Sequence, residues 1–266
     1  MRIVALMTVR NEALYLRRCL AHLVGQGLDV CVIDNDSTDG SADIAREFAD
    51  RGVILERYPY PGYFDLRGIL QNEELLAQTL DADWFMHCDA DEIREPCPPF
   101  TTLREGIEAA DRAGFNAINF DEFLFFPTSI EERHEGTDYV ARMLRYYYFA
   151  PYANRQVKLW KRSGTRVDLA STGGHTVAFE GRNIYPVSFI LRHYVALSHA
   201  HAVDKYMRQR TYSQQEVTEL RWHGARARVR DASDIVLPPL DRMHTLVGHH
   251  FDRSRPERRH LFFGAG

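Results

Sequence analysis

The sequence predicts a compact α/β domain: a mainly parallel sheet flanked by helices, followed by a helical C-terminal extension. Three observations carry this. Up to residue 126, short apolar runs alternate with stretches that repeat at helical period. The three most polar clusters, residues 8–12, 34–39 and 89–92, each follow directly on an apolar run. From residue 199 onward the pattern turns helical, with no Gly/Ser linker before it. The expected division is a catalytic domain over 1–198, in halves 1–126 and 127–198, and an extension over 199–266.

Taken in order, residues 2–7 form a continuous apolar run, as expected of a strand buried on both faces. Asn11 then reads as a helix cap, with Glu12 in the first turn and Leu16, Leu20, Leu23 and Val24 along one face. Gly25 and Gly27 end that helix. Residues 30–33 are the second strand, stopped by Asp34-Asn35-Asp36-Ser37-Thr38-Asp39-Gly40. A helix bearing Ile44 and Phe48 runs to Gly52, and residues 53–55 start a third strand. The Pro- and aromatic-rich loop 58–64 leads to a third helix with Leu66, Ile69, Leu70, Leu76 and Leu80 on one face. Residues 84–88 form the fourth strand and run straight into Asp89-Ala90-Asp91-Glu92. A fourth helix opens on the capping box Thr102/Glu105. Residues 116–126 read as a strand ending at Pro127, and 157–161 and 176–179 as shorter ones. Residues 128–156 carry no clear pattern; the run Tyr146-Tyr147-Tyr148-Phe149 is either core or an acceptor platform.

The composition, 45% hydrophobic and 26% charged, is that of a soluble globular chain. The apolar run 3–7 is too short for a signal peptide, and no stretch approaches the ~20 apolar residues of a membrane helix. Cys19, Cys31, Cys88 and Cys97 form no C-x-x-C pair and read as buried free thiols, which fits a reducing cytoplasm. The net charge of −4 is uneven: from residue 199 there are 12 Lys+Arg against 8 Asp+Glu. The arginines there, Arg226, Arg228, Arg230, Arg253, Arg255, Arg258 and Arg259, form either a solvated face or a patch for an anionic acceptor or the inner membrane surface. They are too few and too mixed with acids to indicate nucleic acid.

The chemistry lies at the strand ends, where open α/β sheets bind ligands. On a strand, Asp89 and Asp91 would point the same way, and two carboxylates that close invite a cation. Mg²⁺ or Mn²⁺ fits, keeping waters and diphosphate oxygens as further ligands. Asp34, ending a buried strand, suits a base imide or a ribose hydroxyl, whereas Ser37 and Asp39 read as helix caps. His175 after two glycines and His193 are each a candidate third metal ligand or diphosphate contact. Glu122, Asp121 and, in reserve, Asp168 are carboxylates that are candidates for a general base. Asp121 and Glu122 are neighbours on a strand, so they face opposite sides and at most one serves.

Arg10-Asn11-Glu12, the run 34–40 and Asp89-Ala90-Asp91-Glu92 together resemble family 2 glycosyltransferases of the GT-A fold, over roughly residues 1–126. Ser171-Thr172-Gly173-Gly174-His175 and Leu191-Arg192-His193-Tyr194 resemble segments of a bacterial branch of that family. The resemblance implies an inverting transfer from a nucleotide-sugar, most often UDP-linked, to a carbohydrate, lipid-linked or small-molecule acceptor. It assigns Asp34 to the base, Asp89 to ribose or metal, and Asp91 to the metal. Thr8, Arg10, Asn11, Glu12, Asp36, Arg67, Ala90 and His175 complete the expected donor side, and His193 the metal. Asn35 stands where many members have Asp, which leaves UDP, dTDP and GDP open. A dinucleotide oxidoreductase would need a Gly-rich turn after the first strand, and residues 8–12 have none. A dehalogenase-like phosphatase would carry its Asp-x-Asp after the first strand rather than the fourth. A nucleotidyltransferase would need a Gly-rich basic loop near residue 10. A non-catalytic carbohydrate- or nucleotide-binding protein of the same fold has no need of a metal pair.

Overall fold

The computed structural model describes residues 1–224 and 226–264. The chain divides into two compact units: residues 1–60, 66–121 and 154–191 form the first, and 61–65, 122–153 and 192–266 the second.

The first unit is built as the apolar runs dictate. β1 (Ile3–Val9), β2 (Asp29–Asp34), β3 (Val53–Arg57) and β4 (Trp84–His87) lie parallel in the order β3-β2-β1-β4. The helical connections α1 (Ala13–Gly25), α2 (Ser41–Arg46) and α3 (Leu66–Thr79) make this possible, because parallel neighbours need a crossover. α1 buries Tyr15, Leu16, Cys19, Leu20 and Leu23, a single helical face. Its N-cap is Glu12, not Asn11, whose φ of 55° puts it in the left-handed region one residue earlier. β5 (Glu92–Glu95) and α4 (Leu103–Arg112) follow β4. The capping box of α4 is present as expected, Thr102 accepting from the Glu105 N–H and Glu105 from the Thr102 N–H. β8 (Val157–Lys161) joins antiparallel to β4, and the first residues of β6 (Ala117–Phe125) join antiparallel to β8. Ile118 pairs with Leu159 but Asn119 pairs with Val157, so Lys158 is an extra residue in a β-bulge. Val4, Leu6, Ile33, Leu70, Phe85 and Trp160 anchor a core that lies on the α3 side of this sheet. Residues 176–179 form no strand. They make one bridge, Asp168 to Ala178, because the preceding Gly173 and Gly174 at φ 63° and 79° turn the chain as a loop.

In the second unit the end of β6 pairs antiparallel with β7 (Arg145–Phe149), preceded by the short α5 (Tyr139–Arg142), and β7 with β10 (His244–Thr245). Tyr146, Tyr147 and Phe149 are buried, so the aromatic run is core rather than a platform. Leu124, Phe126, Tyr147, Tyr206, Ile235 and Phe262 belong to one cluster. β9 (Phe189–Tyr194) leads from one unit into the other. After it, among the described residues, the helical expectation holds only for α6 (His199–Met207) and α7 (Gln214–Thr218), each capped by a serine. Short 3₁₀ turns and irregular chain follow, because Gly224, Pro238, Pro239, Gly248 and Pro256 break any longer helix. The loop 61–65 also belongs to this unit; Phe64 packs edge-on to Tyr212 and lies beneath Arg210. Among the described residues no helix is long and apolar enough to cross a membrane. All four cysteines are buried and form no disulfide, and burial pushes the Cys31 thiol up to about 12 and raises those of Cys19 and Cys88 as well.

Candidate active site

The strand-end residues of β1 and β2 are largely tied to one another. Thr8 donates its hydroxyl to Glu73 Oε1 at 2.9 Å, and the other Glu73 oxygen meets His87 Nδ1 at 2.6 Å. Arg10 Nη1 donates to the carbonyls of Asn35 and Asp36, both at 2.7 Å, and its guanidinium lies 3.4 Å over the Tyr60 ring. Asn11 Oδ1 accepts from the Thr38 N–H at 2.7 Å, and the Glu12 N–H donates to Ser41 Oγ at 2.9 Å. Asp36 accepts from Arg57 Nε at 2.6 Å and from the Tyr60 N–H at 3.0 Å; the Arg57 bond above all holds its carboxyl below the usual range. Asp39 accepts from the Ser41 and Ala13 N–H groups, so it serves the starts of both α1 and α2. Asp34 is half-buried, and among the described residues its carboxylate accepts only the long bonds from the Ser37 N–H, at 3.2 and 3.4 Å. Arg67 is exposed in the first turn of α3. His175 Nε2 accepts from Arg155 Nη2 at 3.1 Å, since a guanidinium can only donate.

Asp89, Ala90 and Asp91 lie in the turn between β4 and β5, not on a strand, so strand alternation does not orient the two acids. The turn is set from below by Glu92. One Glu92 oxygen accepts from the Asp89 N–H at 3.1 Å and from Arg94 Nη2; the other lies 3.2 Å from Lys158 Nζ. Lys158 Nζ is also 3.8 Å from Asp89 Oδ2. Glu92, Arg94 and Lys158 are almost fully buried, while the Asp89 side chain is 52% exposed. Asp91 and Ala90 are buried. Hard carboxylate oxygens beside an open face fit Mg²⁺ or Mn²⁺, which take one or two carboxylates plus substrate phosphates rather than a complete protein cage. Among the described residues no group of three His, Cys, Asp or Glu is assembled as a metal site.

His193 lies in the second unit, where its Nδ1 meets Glu122 Oε1 at 2.8 Å. Glu122 is buried. Asp121, the last residue of the first unit's stretch of β6, is half-buried. Asp168 accepts from the Ser171 N–H at 2.8 Å and so closes a local turn.

The buried charged residues Glu73, Glu74, Arg94 and Lys158 are among those absent from the sequence reading, which names Glu92 only as the end of the 89–92 cluster and gives it no role. Glu74 Oε1 accepts the N–H groups of Leu169 and Ala170 at 2.8 and 2.9 Å, fixing the start of the loop that ends at His175. Glu73 falls at helical spacing with Leu66, Ile69 and Leu70, and an acid on an apolar stripe is the signal that could have found it. Nothing in Val157-Lys158-Leu159-Trp160 signals the bulge at Lys158.

Residues 4–117 match the family model Glycosyl transferase family 2. Among curated proteins no significant match exists. Similar solved structures include S. aureus TarS 1-349, at 8% identity and TM-score 0.47, covering 73% of this chain and 60% of that one. The same fragment in complex with UDP aligns at 10% identity and TM-score 0.47, covering 77% and 62%. Mannosyltransferase PcManGT from Pyrobaculum calidifontis, in complex with GDP-Man and Mn2+, aligns at 14% identity and TM-score 0.44, covering 77% and 61%. The chain thus spans less than two thirds of the length of each of these three.

Proposed function

We propose that this chain, whose residues 4–117 match the glycosyl transferase family 2 model, moves a sugar from a nucleotide-sugar to an acceptor hydroxyl with inversion, assisted by Mn²⁺ or Mg²⁺. The observation that carries the reading is the Asp89–Asp91 turn at the carboxyl end of a parallel strand. There an acid is left half exposed while Glu92 bears the structural load.

Asp89 and Asp91 would hold the cation, which neutralises charge on the departing diphosphate when bound. Asp34 is the base or ribose contact, since its carboxylate makes only long bonds to the Ser37 N–H. Arg10, stacked on Tyr60, forms the wall beside it. Of the candidate bases, Asp168 accepts within its own turn, Glu122 meets His193 and Asp121 is half-buried, and the reading leaves the choice among the three open. The buried thiols fit a cytoplasmic enzyme, and the exposed Arg253, Arg255, Arg258 and Arg259 favour contact with an anionic membrane or acceptor. The transferred sugar and the acceptor are left open by this reading.

The test is a thermal-shift panel of UDP, GDP and dTDP, each with Mn²⁺ and with EDTA. A rise in Tm for one nucleotide, present with Mn²⁺, absent with EDTA and absent in Asp91→Ala, supports the donor site and names its base. No rise with any nucleotide sinks it.

A further inference from the structure

We infer that Lys158 is a positioning residue that makes cation binding at the Asp89–Asp91 turn depend on a bound nucleotide diphosphate. The inference rests on the donor site proposed above and deepens it.

The bulge is the first observation. In a regular antiparallel ladder Lys158 would pair across from β6 between Leu159 and Val157; instead the register skips it. Bulges re-aim a side chain, and this one turns an ammonium group toward the 88–91 turn. The second observation is burial. Lys158 is 4% exposed, so it cannot itself reach a substrate in solvent, yet its Nζ lies 3.2 Å from Glu92 and 3.8 Å from Asp89.

The charges then decide the consequence. Glu92, Asp89 and Asp91 bring negative charge to the turn, and Arg94 and Lys158 are cations that oppose it. Arg94 is fixed, bonded to Glu92 and 4.6 Å over the Phe120 ring. Lys158 is the cation that faces Asp89 itself. With Lys158 in place the turn is one charge less negative and attracts a divalent ion more weakly, and a diphosphate supplies the charge it lacks. Without Lys158 the turn would be one charge more negative, and a metal would bind more tightly with no nucleotide present. Coupling of this kind is reciprocal, so the metal strengthens nucleotide binding by the same factor.

The experiment is Mn²⁺ titration of the full chain, free Mn²⁺ followed by electron paramagnetic resonance, for the wild type, Lys158→Met and Lys158→Arg. The nucleotide-free Mn²⁺ Kd is expected to tighten by about tenfold or more in Lys158→Met and to stay at the wild-type value in Lys158→Arg. Mere structural damage would loosen metal binding, not tighten it. An unchanged Kd in folded Lys158→Met overturns the inference. Should that variant fail to fold, the wild type decides alone: Mn²⁺ held equally tightly with and without UDP or GDP overturns it too. The two readings fail differently. No Mn²⁺ binding in any protein, with or without UDP or GDP, overturns the donor site along with the inference, whereas binding that ignores Lys158 overturns only the inference.

Discussion

The loop after β2 and the turn after β4 look alike in sequence, each a run of acids ending an apolar strand, but they use their acids in opposite ways. After β2, Asp36 and Asp39 are consumed by Arg57 and by backbone N–H groups, and only Asp34 keeps capacity for a ligand. After β4 the structural burden falls on one buried acid, Glu92, and the exposed Asp89 is left to the solvent. The first loop is held by many shared surface bonds; the second hangs from one buried network. An acid's role is therefore read from what it lacks as much as from where it stands. The contrast makes different demands on stability, and substitutions can test it.

Glu92→Gln should have the largest effect. It leaves Arg94 and Lys158 buried beside a neutral amide, and breaking a buried pair in this way costs about 3–5 kcal/mol. The expected outcome is a clear fall in the urea midpoint, followed by circular dichroism. A midpoint within error of the wild type would mean that the turn does not hang from Glu92, and the contrast between the two loops would dissolve.

Asp34→Asn addresses ligand binding rather than folding. Loss of a charged acceptor should weaken binding of the preferred nucleotide by about 1.5–3 kcal/mol, read by calorimetry, with little change in the melting curve. Asp39→Ala should do the reverse. It removes an acceptor from the starts of α1 and α2 and should cost stability of about 1 kcal/mol while leaving nucleotide affinity in place. If both variants lost affinity equally, the division of labour within the first loop would be wrong.

How much of this was legible beforehand follows the same line. The runs 2–7, 30–33 and 84–88 are so apolar that the strands 3–9, 29–34 and 84–87, and the polar clusters beyond them, could be placed to within a few residues from the pattern alone. Asp39 was readable as a cap because capping is local. Glu92 and Lys158 were not, because their pairing joins residues 66 positions apart through a register shift in β8 that no local pattern encodes. The Asp-x-Asp was found by its residues, but its geometry was misjudged as strand when it is turn. Past residue 199 the helical spacing was real for two short stretches, α6 and α7, and the prolines beyond them carried more weight than the pattern did.

The smallest effect is a titration, and it bears on whether Asp36 is structural. The Arg57 bond and the Tyr60 N–H hold the Asp36 carboxyl below its usual value, so its folded-state pKa lies under the unfolded one. A group depressed in this way contributes stability that is fully present above the unfolded value of about 3.9 and is lost as pH falls through the folded one. At neutral pH the bond is therefore intact, and any loosening of the loop is confined to acid. Arg57→Gln should return the Asp36 carboxyl toward its usual value, read by carboxyl-carbon NMR shifts between pH 2 and 6, with nucleotide binding at neutral pH little changed. An unmoved titration would show that Arg57 does not hold this acid. Asp36 would then join Asp34 as a candidate ligand, and the loop after β2 would resemble the turn after β4 more closely than its hydrogen bonds suggest.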